Sequence, residues 1–461
     1  MPDEKSSLFS DVPVRKAVLT LAIPTVISQL ITVVYNMADT FFIGQLNDPL
    51  QVAAATLAMP CFMFLTAFAN LFGLGGSSLI SRCLGSDNKD KARHTAAFCI
   101  WTGIAVALLY GIAILLLEPI QFPVLGAKSD TWDYLRLYVF WTIGIGAFPT
   151  VMKAEFAHLI RSEGYSKQAG FGVALGGVLN IALDPIFIFA FQLNISGAAI
   201  ATMLSNVIAM LYFIGFLLHI RKKTVITLNP KSYSVRHGIP AEVITVGLPG
   251  FVMTMMSTIS NTALNHIVAE YSNTAIAGMG IAKKIDLLAY AIAQGMTQGT
   301  LPLIGYNYSS GNMKRMNASI KTAFAYSIIV AACGTVLLCF FAAPIAGCFI
   351  SDKGTVEYGQ QFLKIICLAC PTTAINFMCI TVFQAIGKKV QPLLLSLLRK
   401  GSLDIVFMLI LNQTMGISGI AWATPFADWI AFVISLVLII PCLMKFKRDC
   451  GKENIDYFQM C

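Results

Sequence analysis

Four polar residues set in long apolar stretches have the types and spacing to hold a monovalent cation. Asp39 ends the first apolar span, in Tyr35-Asn36-Met37-Ala38-Asp39-Thr40. Asn180 and Asp184 stand four apart in Asn180-Ile181-Ala182-Leu183-Asp184-Pro185, which puts them on one face of a helix. Thr202 follows in the next apolar run. Pro185 lacks an N–H, and a kink there can free a backbone carbonyl. Two carboxylates, an amide oxygen and a hydroxyl suit sodium, and two neighbouring carboxylates can instead share a proton. Each acid also has a plainer role: Asp39 can touch interfacial water at a helix end, and Asp184 can satisfy backbone groups beside the kink.

The elements that carry these residues must be membrane helices. The chain has 461 residues, 57% hydrophobic and only 12% charged, against about 25% charged in a soluble domain. Ala17 to Met37 contains no charge and spans about 30 Å as a helix, one bilayer core. This first run is too long for a cleavable leader. The pattern predicts twelve transmembrane helices at about 17–37, 50–80, 95–117, 133–160, 168–190, 197–219, 241–266, 274–305, 318–345, 357–386, 390–411 and 418–444. Of the 32 Lys and Arg residues, 23 fall on the termini and alternate connections, among them Arg15, Lys16, Arg82, Arg161, Arg221 to Lys223, Lys314 and Lys445. By the positive-inside rule both termini are cytoplasmic, and the net charge of +9 reports topology rather than nucleic-acid binding. An acid inside such a span is costly, which makes Asp39 and Asp184 functional candidates by default.

The chain repeats itself. Ile195-Ser196-Gly197-Ala198-Ala199-Ile200-Ala201-Thr202 recurs as Ile417-Ser418-Gly419-Ile420-Ala421-Trp422-Ala423-Thr424. Pro24, Asn36, Asn88, Gly164 and Asp184 match Pro249, Asn261, Asn312, Gly387 and Asp404 in the same order. Two halves of six helices follow, with one membrane orientation and a pseudo-two-fold axis along the membrane normal. The predicted division is a cytoplasmic segment 1–16, an N-lobe 17–219, a linker 220–240, a C-lobe 241–446 and a tail 447–461. The halves differ where chemistry is expected: Leu264 stands where the first half has Asp39, and Lys400 where it has Asn180. Lys400 and Asp404, four apart, form an expected self-neutralising pair. The coupling ion is therefore expected in the first half alone.

Other charges within spans include Lys153 with Glu155 and Lys283 with Asp286, expected as local pairs, and Lys364 and Asp428. Lys283, with Gln29 and Asn36, is assigned to a substrate cleft. Cys367 and Cys370 form a CxxC inside an apolar helix and read as buried thiols. His266 and Glu270 lack a third ligand for a metal. No GxxxxGK[ST] loop, HExxH or nucleophile elbow is present, so neither an ATPase nor another enzyme is expected, and no cofactor.

These residues resemble the multidrug and toxic compound extrusion (MATE) transporters, in the prokaryotic branch with an N-lobe cation site. The resemblance rests on Pro24, the run Tyr35 to Gly44, Ile80-Ser81-Arg82-Cys83-Leu84-Gly85, Arg161-Ser162-Glu163-Gly164, Asn180 to Pro185, Pro302 to Asn307 and Gln384-Ala385-Ile386-Gly387. It extends over about residues 15 to 446. It implies an all-helical fold of two six-helix lobes in a V, exporting cationic or lipophilic compounds in exchange for H+ or Na+. It also implies a monomer in the bacterial inner membrane, and places the family's cation-site residues on Asp39, Asn180, Asp184 and Thr202. Acids expected in the seventh and tenth helices of the C-lobe-coupled branch are missing apart from Glu242 and Glu357 at helix ends. A lipid or lipid-linked oligosaccharide flippase of the wider superfamily is the alternative, with Lys283, Lys284 and Lys364 as head-group contacts. A major facilitator is less consistent, because Lys89 stands where its loop motif needs an acid.

Overall fold

A computed structural model of the chain describes residues 4–268, 270–349 and 352–459. All regular structure among them is helical. The elements are α1 (Glu4–Ser10), α2 (Val14–Gly44), α3 (Pro49–Gly85), α4 (Lys89–Leu116), α5 (Glu118–Val124) and α6 (Trp132–Val139). Then come α7 (Ala147–Ser162), α8 (Ser166–Pro185), α9 (Asn194–His219), α10 (Ile239–Val268), α11 (Asn273–Ser309) and α12 (Met313–Phe340). The last are α13 (Ala342–Gly347), α14 (Lys353–Ile366), α15 (Cys370–Ala385), α16 (Val390–Leu397), α17 (Leu403–Met415) and α18 (Ile417–Gln459). Wide π-helical turns occupy Phe140–Ile145, Ile186–Ala190 and Leu398–Ser402.

Among the described residues nine helices are long and apolar enough to cross a membrane, and Trp132–Ile145 with Ala147–Ser162, bent by 48°, forms a tenth span. The charge-bearing α11 and the run from α16 to α17 bring the total to the expected twelve. Only helices satisfy their own backbone in lipid, which is why the apolar runs leave no other choice. The chain is a polytopic membrane protein.

It divides into two compact units. The N unit comprises Ile27–Leu84 and Asn88–Met255, and the C unit Met1–Val26, Gly85–Asp87 and Met256–Cys461. The division within α2 lies close to its internal proline, Pro24, and that within α10 falls nearly two turns after Pro249.

Local chemistry explains the repeated residues. Asn88 and Asn312 both cap a helix, each side-chain oxygen accepting an N–H three residues on, from Lys91 and Arg315, at 3.0 Å. Such caps contribute about 1 kcal/mol each. Gly164 and Gly387 both turn the chain after a helix at φ of 90° and 75°, a conformation that penalises any Cβ.

The connection 220–238 is held against the N unit. Glu163 accepts from the Thr224 hydroxyl at 2.7 Å and the Val225 N–H at 2.6 Å, and Val225 and Ile226 are buried. Lys91 then pairs with Glu242, at the start of α10, at 2.7 Å.

Candidate functional site

The helices that carry Asp39 and Asn180 approach closely because α8 is bare on the side it turns to α2. A methyl group on Gly177 would lie 2.7 Å from Ile31 Cγ2 and 2.9 Å from Tyr35 Cδ1. On its other side, methyl groups on Gly172 and Gly176 would meet Phe213 at 2.4 Å and Ala209 at 3.1 Å, so α9 also packs close. Small residues let membrane helices approach to backbone distance. One turn beyond Gly177, Asn180 Nδ2 donates to Asp184 Oδ1 at 3.3 Å and to Thr202 Oγ1 at 3.2 Å. Asn180 and Asp184 are buried, and Asp39 and Asp184 interact electrostatically with each other and with Tyr138. The four predicted residues therefore share one region of the N unit.

Three oxygens there have no hydrogen-bond partner: Asp39 Oδ1, Asn180 Oδ1 and Asp184 Oδ2. A buried acceptor left unpaired costs about 1–3 kcal/mol, more when charged. Three acceptors without donors, two of them carboxylate oxygens, form a surrounding that a proton or small cation relieves. Gln29 lies half-buried in the same unit and Asn36 is exposed, its carbonyl taking the Thr40 hydroxyl at 2.9 Å.

Residues that spacing did not single out complete the setting. Tyr138 lies in the field of both acids, and Tyr35 in that of Asp39. Lys153, expected to pair with Glu155, donates instead to Asn206 Oδ1 at 2.6 Å, with its ammonium 5.5 Å from the Tyr35 ring centre. Asn206 in turn donates to Thr150 at 2.9 Å. Positions two apart point to different sides of a helix, so Lys153 and Glu155 cannot meet. Neither carboxyl oxygen of Glu155 has a partner.

The C unit answers the same positions differently. Asp404 accepts from the Ser260 and Thr424 hydroxyls, and Lys283 donates to Thr424 at 3.1 Å. Ser260 is the repeat counterpart of Tyr35, Asp404 of Asp184 and Thr424 of Thr202. An ammonium group and two hydroxyls thus serve the acid that the N unit leaves open. The expected Lys400–Asp404 ion pair does not close. The π-helical turn Leu398–Ser402 lies there, and Lys400 acts on Asp404 through its charge without closing to an ion pair. Lys283 and Asp286 act on each other through their charges without a close ion pair, and Thr424 takes the Lys283 ammonium. Replacing Asp404 by Asn is expected to lower the melting temperature while leaving ion-coupled transport intact. Normal expression with lost coupling would contradict this.

The positions of the Thr150–Lys153–Asn206 network also recur, as Thr373, Asn376 and Asp428, with Arg399 supplying the cation. Arg399 Nε donates to Asp428, and Thr373 Oγ1 donates to the same carboxylate. Among the described residues no group of three or more His, Cys, Asp or Glu is placed to hold a metal ion.

The sequence profile of the MatE family matches residues 24–186 and again 249–410. The chain belongs to this family. The two matches begin at Pro24 and Pro249, and each ends shortly after the buried acid of its half, so the MATE profile reads the internal repeat twice. The multidrug export protein MepA of Staphylococcus aureus (strain NCTC 8325 / PS 47) is 29% identical over 440 residues, covering 95% of this chain and 96% of MepA. MepA of Staphylococcus saprophyticus is 29% identical over 439 residues, with the same coverage. Among solved structures, a MATE crystallised in complex with MaL6 superposes with a TM-score of 0.90 at 24% identity, over 97% of this chain and 100% of that one. An outward-facing multidrug resistance MATE transporter of the MOP superfamily gives 0.88 at 24% identity over the same shares. These likenesses establish the MATE fold.

The close approach at Gly177 yields a test within that fold. Gly177→Val is expected to cost about 1–3 kcal/mol of stability by overpacking and to cut transport at least tenfold. Gly215→Val, with nothing within 4 Å of the added carbon, is the control. Wild-type transport by Gly177→Val would show that α2 need not pack so closely.

Proposed function

We propose that this MATE protein is a secondary transporter that exports organic, often cationic, compounds from a bacterial cell in exchange for H+ or Na+. The observation that carries the reading is the set of unpartnered oxygens on Asp39, Asn180 and Asp184 beside Thr202. The name of the MepA relatives, multidrug export proteins, supports the substrate class. The cation and the organic substrate favour opposite openings of an alternating-access cycle, so the gradient of one drives the other. Gln29, Asn36 and Lys283 stand as contacts of the substrate path. The protein acts as a monomer in the inner membrane with both termini cytoplasmic, consistent with its basic connections. It uses no cofactor and catalyses no covalent reaction.

The test is transport in liposomes. Purified protein is reconstituted, the lumen loaded with a fluorescent organic cation, and proton and sodium gradients imposed separately. Efflux driven by one gradient identifies the coupling ion. No efflux under either gradient would refute ion-coupled export of such compounds.

A further inference from the structure

The C unit contains a cavity separate from the four residues assigned to the coupling cation. Asp286 and Tyr290 of α11, Ser327 of α12, Arg399 and Lys400 of the π-helical turn and Asp428 of α18 line it. Measured as room for the centres of water-sized spheres, it is about 40 Å³. One water takes about 10–15 Å³ on that scale, and about 30 Å³ of liquid, so about three waters or a molecule of about six non-hydrogen atoms fit. Drug-sized ligands need pockets of roughly 300 Å³ or more.

Its polar groups retain unused capacity of both signs. Arg399 commits Nε and Nη2 to Asp428 and Thr373, yet Nη1 has no acceptor although the side chain is only 2% exposed. The guanidinium is fixed in place, 4.6 Å from the Phe377 ring centre and 5.7 Å from that of Tyr290. Ser327, 3% exposed, has a hydroxyl without a partner. Lys400 and Asp286 make no hydrogen bond or ion pair within 4 Å to any described residue, although Lys400 lies in the field of Asp404, Asp428 and Asp286 itself. Asp428 is already neutralised by Arg399. What remains is one ammonium with a spare guanidinium N–H, and one carboxylate.

A simple anion entering this space would meet Asp286, and a simple cation would meet Lys400. Buried like charges are repelled strongly, whereas a ligand carrying both signs leaves neither group unpaired. We propose that the cavity binds a small zwitterion of the α-amino-acid class, its carboxylate taken by Arg399 and Lys400 and its ammonium by Asp286. Ser327 supplies a neutral hydrogen bond. Alanine, with six non-hydrogen atoms, matches the volume.

Calorimetric titration of the purified full-length protein with L-alanine tests this, with acetate and methylammonium as the two half-ligands. Saturable alanine binding is expected, at least tenfold weaker in Asp286→Asn and at least threefold weaker in Ser327→Ala, with neither half-ligand binding comparably. Where Asp286→Asn melts below wild type, the Ser327→Ala result decides. Absence of saturable binding, or unchanged affinity in the variants, would mean that the cavity holds water alone. Equal affinity for acetate or methylammonium would overturn the zwitterion. Asp39→Asn should bind alanine as wild type does, so failure of the coupling reading and failure of this one are distinguishable.

Discussion

Asp184→Asn and Asp39→Asn are each expected to reduce gradient-driven efflux to the level of protein-free liposomes, with expression and melting temperature kept near wild type. Amide replaces carboxylate at nearly constant volume, so packing is preserved while one negative charge is lost. A cation about 4 Å from that charge loses about 4 kcal/mol of attraction at an effective dielectric constant of about 20, roughly three orders of magnitude in affinity. Stability should not suffer. The oxygens Asp39 Oδ1 and Asp184 Oδ2 have no donors to lose. The check is efflux of a fluorescent cation under the driving gradient, alongside a thermal melt. Retained efflux in both variants would remove the N-unit acids from coupling. Loss in Asp184→Asn alone would confine the ion to Asn180, Asp184 and Thr202.

Arg399→Met is expected to have the opposite profile, a large loss of stability from a residue outside those four positions. Arg399 and Asp428 side chains are each 2% exposed, and the substitution leaves the Asp428 carboxylate buried without its cation. Breaking a buried pair from one side costs about 3–5 kcal/mol, whereas removing both charges costs much less. The double substitution Arg399→Met with Asp428→Asn should therefore recover most of the loss, as read by thermal denaturation in detergent. A single variant that melts with wild type would show that the pair does not hold the C unit together. The equivalent network of the N unit, Lys153 with the neutral Asn206 and Thr150, leaves no orphaned charge when its lysine is removed. Lys153→Met should accordingly cost less than Arg399→Met.

Much of the candidate site is legible in the amino-acid order. Asn180 and Asp184 share a face through spacing alone, and the fold keeps them within hydrogen-bond distance. The repeat makes Asp404 a natural comparison, and its counterpart contacts do differ. Tyr35 and Tyr138 carry no signal, since aromatic residues are common in apolar helices and nothing local marks the one that faces an acid. Of the local pairs expected from sequence, Lys153 and Glu155 are on different faces and do not meet, whereas Lys400 acts on Asp404 through its charge without closing to an ion pair. The repeated Ile-Ser-Gly motif is visible as a pattern, but its cause is not. Gly197 and Gly419 each lie against a backbone carbonyl of the preceding segment, where an added carbon would sit 2.6 Å from Phe187 O and 2.0 Å from Leu411 O.

Twelve spans, two related halves, the caps at Asn88 and Asn312 and the turns at Gly164 and Gly387 were determined by the amino-acid order alone. Each follows from interactions within a few residues: an apolar run must close its own backbone hydrogen bonds in lipid, an asparagine caps the helix that follows it, and glycine tolerates positive φ. The tertiary structure decided which charge meets which partner. Lys153 finds Asn206, Lys283 finds Thr424 and Arg399 finds Asp428 across 53, 141 and 29 residues, at contacts made by helix packing. Packing depends on the shapes of whole helices, and periodicity within one helix carries no record of what its neighbour presents.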